Sequence, residues 1–252
     1  MRGVFVTGTD TGVGKTVVAG AICAALAARG ERVAAFKPVV TGTDERSGDW
    51  PPDHELLAAA ASAGQTAADV TPLTFGPPLS PHYAAELAGR AIDPARLRAA
   101  ALSAATLTGA TTPAESAVAG GSPRSDSQAD ETSSRRRVPL VCEGVGGLLV
   151  PLTPDYLVRD LAVDLALPLV IVARTGLGTI NHTLLTVAAA RAAGLEVAAI
   201  VMTPWPNLPE PIEISNRATV ERLSGVRVDG LPPTSPEALA AAGGALPLDD
   251  WL

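Results

Sequence analysis

Lysine is nearly absent from this chain: of its nineteen basic residues seventeen are arginines, and the two lysines stand at positions 15 and 37. Cysteine is as scarce. Cys23 and Cys142 both lie inside apolar segments, with no Cys-x-x-Cys spacing and no neighbouring histidine, which argues against zinc or a disulfide and for two buried, reduced thiols. Aromatic residues make up 3% of the chain, and Trp50, Trp205 and Trp251 stand singly, so no stacking stripe for single-stranded nucleic acid is present. Basic charge is in deficit, with a formal net charge of −7, and a general nucleic-acid surface is therefore not expected. No stretch approaches the roughly eighteen consecutive apolar residues of a membrane span. The N-terminus shows no basic start, apolar stretch and small-residue cleavage site, and a soluble, cytoplasmic protein is expected.

What is abundant is apolar aliphatic sequence, 47% hydrophobic over 252 residues, enough for a substantial core. Short continuous apolar runs at 3–7, 33–37, 138–142, 167–173 and 197–202 alternate with helical stretches at 16–29, 53–60, 157–165, 181–193 and 212–223, and two more helical stretches fall near 83–88 and 94–105. Strands of that kind separated by helices signify an α/β fold, a mainly parallel β-sheet flanked by helices on both faces. Gly30 is expected to end the first helix. Residues 38–52 and 71–81 are turn-rich, and the proline- and alanine-rich tail after Leu231 carries no clear period. The segment 108–137 is rich in Ser, Thr, Gly, Asp and Arg and poor in large apolar residues, so it is expected to be a disordered surface insertion in a single domain spanning 1–252. Its Arg135-Arg136-Arg137 triplet is expected to be solvated charge.

Lys15 sits in Gly8-Thr9-Asp10-Thr11-Gly12-Val13-Gly14-Lys15-Thr16, between an apolar strand and an alanine-rich helix. In such a turn successive backbone N–H groups and the positive end of the helix converge on one point, which suits phosphate. Lys15 adds charge at the β/γ-phosphates and the Thr16 hydroxyl is placed to ligate Mg²⁺. The glycine spacing differs from G-x-x-x-x-G-K-[ST], with Thr9 where that pattern has glycine. Lys37 closes the next apolar segment. If the two segments are neighbouring strands, both ammonium groups reach the same edge of one sheet.

Glu143 ends another apolar segment and precedes Gly144-Val145-Gly146-Gly147. The carboxyl ends of parallel strands border the ligand crevice, so this acid is expected to face the phosphate loop and to bind Mg²⁺ directly or through water. Asp53 starts a helix, where an N-cap is the plainer role. It is also a second metal candidate, with Asp49 and Glu55 as local rivals. Asn181-His182 opens a helix whose free N–H groups could hold a carboxylate, although capping by Asn181 or Thr179 accounts for the residues equally. His54 and His82 have no nucleophile partner and receive no acid/base role.

Taken in order, Gly8 to Thr16, Lys37-Pro38-Val39-Val40-Thr41-Gly42, Ser80-Pro81-His82, Glu143-Gly144-Val145-Gly146-Gly147 and Leu177-Gly178-Thr179-Ile180-Asn181-His182 make the chain resemble the dethiobiotin synthetases, P-loop NTPase-type enzymes, over most of its length. The resemblance implies an ATP- and Mg²⁺-dependent ligase of biotin biosynthesis that inserts CO₂ between the two amines of 7,8-diaminopelargonate. By matching positions, Thr16, Asp53 and Glu143 would bind Mg²⁺. Lys15 and Lys37, with Thr11, would carry catalysis. Gly12, Val13, Gly14, Lys15, Thr16, Val17, Asp53, Glu143, Gly144, Val145 and Gly146 would surround the nucleotide, whose base would meet Thr203, Pro204, Pro232 and Pro233. Thr41 would touch the diamine, and the helix start at Asn181, supplied by the second subunit of a homodimer, would hold its carboxylate. The chain departs from the family pattern at Gly12, where Glu is frequent, at Val145, where Ala is usual, and at Thr203-Pro204, where Asn-Asp is frequent. The segment 108–137 lies outside the resemblance.

Two other classes share features with this sequence. A partitioning or positioning switch ATPase would carry an early lysine in the loop, which Thr9-Asp10-Thr11 does not supply. A cobyric-acid-type amidoligase would need a glutaminase domain, for which no segment remains.

Overall fold

A computed structural model of the protein describes residues 1–45, 48–107 and 136–252. The chain begins with strand β1 (Gly3–Gly8), the phosphate-loop turn, helix α1 (Lys15–Ala28) and strand β2 (Ala34–Phe36). A short strand β3 (Val40–Thr41), helices α2 (Asp53–Ala60) and α3 (Ala67–Val70) and strand β4 (Thr74–Phe75) follow, and β3 and β4 pair in parallel. Helices α4 (Pro81–Leu87) and α5 (Pro94–Ala104) lead to β5 (Thr106–Leu107), which pairs antiparallel with β6 (Arg136–Arg137). The second half runs β7 (Leu140–Glu143), a small antiparallel pair β8 (Pro151–Thr153) and β9 (Tyr156–Leu157), α6 (Val158–Leu165), β10 (Leu169–Ala173), α7 (Thr179–Ala192), β11 (Val197–Met202), α8 (Pro211–Ser224), β12 (Val228–Gly230) and α9 (Leu239–Gly244).

The central sheet joins strands in the order β12-β11-β10-β1-β7-β2, and every pairing in it is parallel. Because side chains alternate along a strand, each strand feeds two cores. Phe5, Leu140, Cys142, Leu169 and Ile171 point to one face, and α4, α5, α6, α7 and α8 cover it through residues such as Ala84, Leu97, Leu161, Val187 and Val220. Val4, Val6, Val141, Val170 and Val172 point to the other, under α1, α2 and α9. Both faces are therefore dry, which is why these strands are mostly apolar, with Glu143 only at the carboxyl end of β7.

Gly30, at φ 80°, ends α1 as its composition suggested. The two lysine-bearing segments are not adjacent, however: β7 lies between β1 and β2, so the strand carrying Glu143 runs between the one that feeds Lys15 and the one that leads into Lys37. Of the segment expected to be an unstructured insertion, 108–135 lies outside the described residues. Its last two residues, Arg136 and Arg137, form β6 instead of joining it. The tail after Leu231 also acquires structure: α9 packs along α1, and Gly243 permits the close approach, since a Cβ there would lie 2.0 Å from the Ala21 carbonyl oxygen. Among the described residues no helix is long and apolar enough to cross a membrane.

Candidate active site

The phosphate loop is fastened at several backbone points. The Thr9 N–H donates to the Val172 carbonyl at 2.9 Å, tying the start of the loop to β10. The Asp10 side chain accepts from the Thr11 N–H at 2.7 Å, and the Arg174 guanidinium donates to the Thr11 carbonyl at 3.2 Å. Gly12 and Gly14 adopt φ of 70° and 94°, the left-handed region that glycine enters without strain. At Gly14 space is also short, because a Cβ would approach Thr203 Cγ2 to 2.7 Å. Helix α1 starts directly after it with no side-chain cap, so its first N–H groups are left for an anion. The Lys15 ammonium turns back over the loop and donates to the Asp10 carbonyl at 2.8 Å.

Beside the loop lies a cluster of charges drawn from four elements. Lys37 Nζ donates to Asp53 Oδ2 at 2.5 Å and to Glu143 Oε1 at 2.6 Å. The Thr16 hydroxyl donates to the same Glu143 oxygen at 2.9 Å. Strand register places Lys37 here: Phe36 pairs with Cys142, so the next residue of each strand, Lys37 and Glu143, meet at the rim. Asp53 opens α2, but its position is the first helical one after Pro52 and its side chain caps nothing; it reaches Lys37 instead. The N-cap role open to it in the sequence is thus not the one adopted. Of its rivals, Asp49 and Glu55 are both exposed, and neither lines the cavity around Lys15.

Electrostatics follow burial. Glu143 is fully buried; burial raises its pKa, the Lys37 ammonium opposes the rise, and the Asp53 charge adds to it, leaving the carboxyl above the ordinary glutamate range. Burial would depress Lys37, but Glu143 and Asp53 together outweigh that and hold its pKa above the usual lysine value. Burial acts against the charge of Asp53 as well, yet the Lys37 ammonium holds its pKa low. For Lys15 burial prevails, helped by Lys37 and opposed by Glu143, and its pKa is lowered. Two cations and two anions balance. Burial together with the Glu143 charge pushes the Cys23 thiol up to about 12 and holds Cys142 well above the usual thiol value, so both are inert, reduced thiols.

These groups open into a cavity of about 350 Å³ lined by Thr11, Gly12, Gly14, Lys15, Thr16, Val17, Lys37, Thr41, Asp53, Glu143, Val145 and Gly146, twelve of the residues singled out in the sequence. Val13 instead sends its side chain into the core beneath the loop, and Gly144 faces Phe5 and Val158. Thr203 is buried behind Gly14, and neither it nor Pro204, Pro232 and Pro233 lines this cavity. Asn181 is exposed on the first turn of α7, outside the cavity of its own chain. The turn that leads to it is fixed by Asn216, whose amide donates to the carbonyls of Thr175 at 2.9 Å and Gly176 at 3.1 Å. Trp50, Pro51 and Leu56 join the cavity walls, and Asp10 and Arg174 fasten the loop, without having stood out in the sequence. Asp10 carried a signal, since Asp in a turn tends to bind a nearby backbone N–H; Arg174 carried none. A second cavity, about 410 Å³, lies across the loop between Gly8–Thr11, Gly147–Val150 and α7.

The donor set suits a hard divalent cation. Thr16 Oγ1, Asp53 and Glu143 offer oxygen alone, and Glu143 Oε2 is buried with no hydrogen-bond partner among the described residues, an acceptor left over for a metal. Among the described residues no group of three or more His, Cys, Asp and Glu is gathered for a metal, so two carboxylates and a hydroxyl would need phosphate oxygens or water to complete an octahedron.

An AAA-domain family model matches residues 2–238. The chain is 39% identical over 237 residues to an ATP-dependent dethiobiotin synthetase BioD of Anaeromyxobacter dehalogenans (strain 2CP-1 / ATCC BAA-258), covering 94% of this chain and 92% of that one. It is 35% identical over 233 residues to the protein of the same name from Bacillus subtilis (strain 168), covering 92% and 87%. Among solved structures it is similar to a ParA family ATPase from Chlorobium tepidum TLS, at TM-score 0.48 and 12% identity, covering 100% and 91%.

Proposed function

The chain belongs to the ATP-dependent dethiobiotin synthetase family, and from that premise we infer that its phosphate-loop rim converts 7,8-diaminopelargonate, CO₂ and ATP to dethiobiotin, ADP and phosphate with Mg²⁺. It is an ATP-dependent ligase. The observation that carries this reading to particular residues is the meeting of Lys15, Thr16, Lys37, Asp53 and Glu143 in one cavity beside Thr11 and Thr41.

In the proposed sequence one amine of the diamine takes up CO₂ as a carbamate and loses a proton. A carbamate oxygen attacks the γ-phosphorus and ADP leaves; the second amine attacks the carbon of the mixed anhydride, and phosphate leaves as the ureido ring closes. Negative charge builds on the carbamate and the transferred phosphoryl group. Lys15 and Lys37 neutralise it, preorganised electrostatic work of the kind that dominates phosphoryl transfer. Thr16, Asp53 and Glu143 would hold Mg²⁺, which would supply positive charge against the negative charge of the phosphates. The N–H groups at the start of α1 cradle phosphate, and Thr11 and Thr41 orient the carbamate and diamine. Thr203, which packs against Gly14, and Pro204, Pro232 and Pro233, none of which lines this cavity, are assigned to the base side of the nucleotide.

The carboxylate end of the diamine falls to the α7 start of a second copy. Leu149 and Leu185, 54% and 61% exposed, line the second cavity, and Leu177, 94% exposed, stands just before α7. Three leucines exposed near one helix favour a covered face, here a homodimer's.

The test is direct: purified protein with ATP, Mg²⁺, bicarbonate and 7,8-diaminopelargonate should form dethiobiotin, detected by mass spectrometry, with ADP in equal amount. ATP turnover indifferent to the diamine, without dethiobiotin, would reject the reading.

A further inference from the structure

Two carboxylates face each other at the rim with one ammonium between them. Lys37 engages Asp53 Oδ2 and Glu143 Oε1, and the latter oxygen also accepts the Thr16 hydroxyl, so every side chain expected to hold magnesium belongs to a set already closed by Lys37. A carboxylate as buried as Glu143 is costly without a counter-charge. Lys15, the other cation in the cavity wall, is directed onto the Asp10 carbonyl.

We propose that Lys37 is the stand-in cation of the metal site: its ammonium holds the ground between Asp53 and Glu143 until magnesium enters with the nucleotide, and that exchange releases it toward the substrate. The inference rests on the reading of this rim as a Mg·ATP site. Magnesium arriving alone would meet an ammonium already bound to the two carboxylates it needs, with Lys15 close by, and it gives up water reluctantly. The nucleotide resolves both difficulties. Its phosphates complete the coordination of the metal and offer Lys37 another anionic partner. Lys37 has a four-carbon stem with freely turning bonds, and it shares the cavity with Thr11 and Thr41, so the swing requires no backbone movement. Glu143 Oε2, which Lys37 leaves unpartnered, is the acceptor kept for the incoming metal. Metal and nucleotide therefore bind as a pair, and the cation that meets the carbamate becomes available only when both are in place.

Calorimetric titration of Mg²⁺ into nucleotide-free protein provides the test. Wild-type protein should bind the metal weakly, Lys37→Met about tenfold or more tightly by comparison, and Lys15→Met with a much smaller gain, because of the two lysines Lys37 is the one paired with both metal-binding carboxylates. Equal affinities for wild type and Lys37→Met, or an equal gain from Lys15→Met, would overturn the proposal. A second measurement uses wild-type protein alone: acylation of Lys37 by a soluble amine reagent, followed by peptide mapping. Labelling should be slow without ligand, with Mg²⁺ alone and with metal-free ADP, and faster with Mg·ADP, which lacks the γ-phosphate that would recapture the ammonium. Unchanged labelling in protein shown by calorimetry to bind Mg·ADP would overturn the exchange while leaving the assigned reaction standing; protein that binds no Mg·nucleotide would instead reject the functional reading.

Discussion

Glu143, Lys37 and Asp53 illustrate how little one side chain can be valued by itself. Truncating Lys37 removes a cation from the reacting phosphate and also strands a buried carboxylate. Lys37→Ala and Lys15→Ala are each expected to lower turnover by on the order of a hundredfold or more. Only Lys37→Ala should also destabilise the fold, by about 3 kcal/mol, because it leaves Glu143 buried and unpaired. Adding Glu143→Gln to Lys37→Ala should restore most of that stability in urea melts and none of the turnover. The pH response follows. With Lys37 gone, the Glu143 pKa, already raised, rises further. The folded state then binds a proton that the unfolded state lacks, so the stability of the variant falls as pH rises through that value. Urea melts between about pH 8 and about pH 5 should show the gap to wild type narrowing toward acid.

At the scale of elements, the phosphate loop, α1 and five of the six strands of the central sheet, all but β12, were legible because their signals are local: apolar runs of strand length, glycines at turns and amphipathic or alanine-rich stretches between them. The missed pieces share a different character. Strands β3 and β4 have two residues each and exist through a partner distant in the chain, while β8 and β9 form a local pair of three and two residues, too short to show alternation. The Leu-Ala-Ala-Ala-Gly-Gly helix α9 has poor propensity at its end and is held by its seat on α1, where Gly243 lets two backbones meet. Gly243→Ala is accordingly expected to cost about 1–3 kcal/mol, read as a lower urea midpoint, because the added methyl would press on the Ala21 carbonyl behind the phosphate loop. If the midpoint is unchanged, α9 does not brace that helix.

For the molecule as a whole, the site as proposed is complete only when two copies meet. Leu185→Asp, a charge in the exposed apolar face of α7, should shift sedimentation toward monomer and lower turnover together, while circular dichroism stays that of the wild type. A fully active monomer would show that Asn181 of a second copy is not needed.

The chemical inventory was fixed by the order of residues: a glycine-rich turn that only left-handed backbone can make, a lysine and threonine at its end, a second lysine, and an acid ahead of a glycine run. Those are properties of neighbours in the chain. Which acid joins Glu143, and which groups share a proton-bearing contact, was decided by tertiary structure. Asp53 rather than Asp49 or Glu55 reaches the cluster, and β7 enters between β1 and β2 to bring Glu143 against Lys37, 106 residues earlier, and Thr16, 127 residues earlier. Contacts of that span depend on strand order and register, which short-range periodicity does not encode.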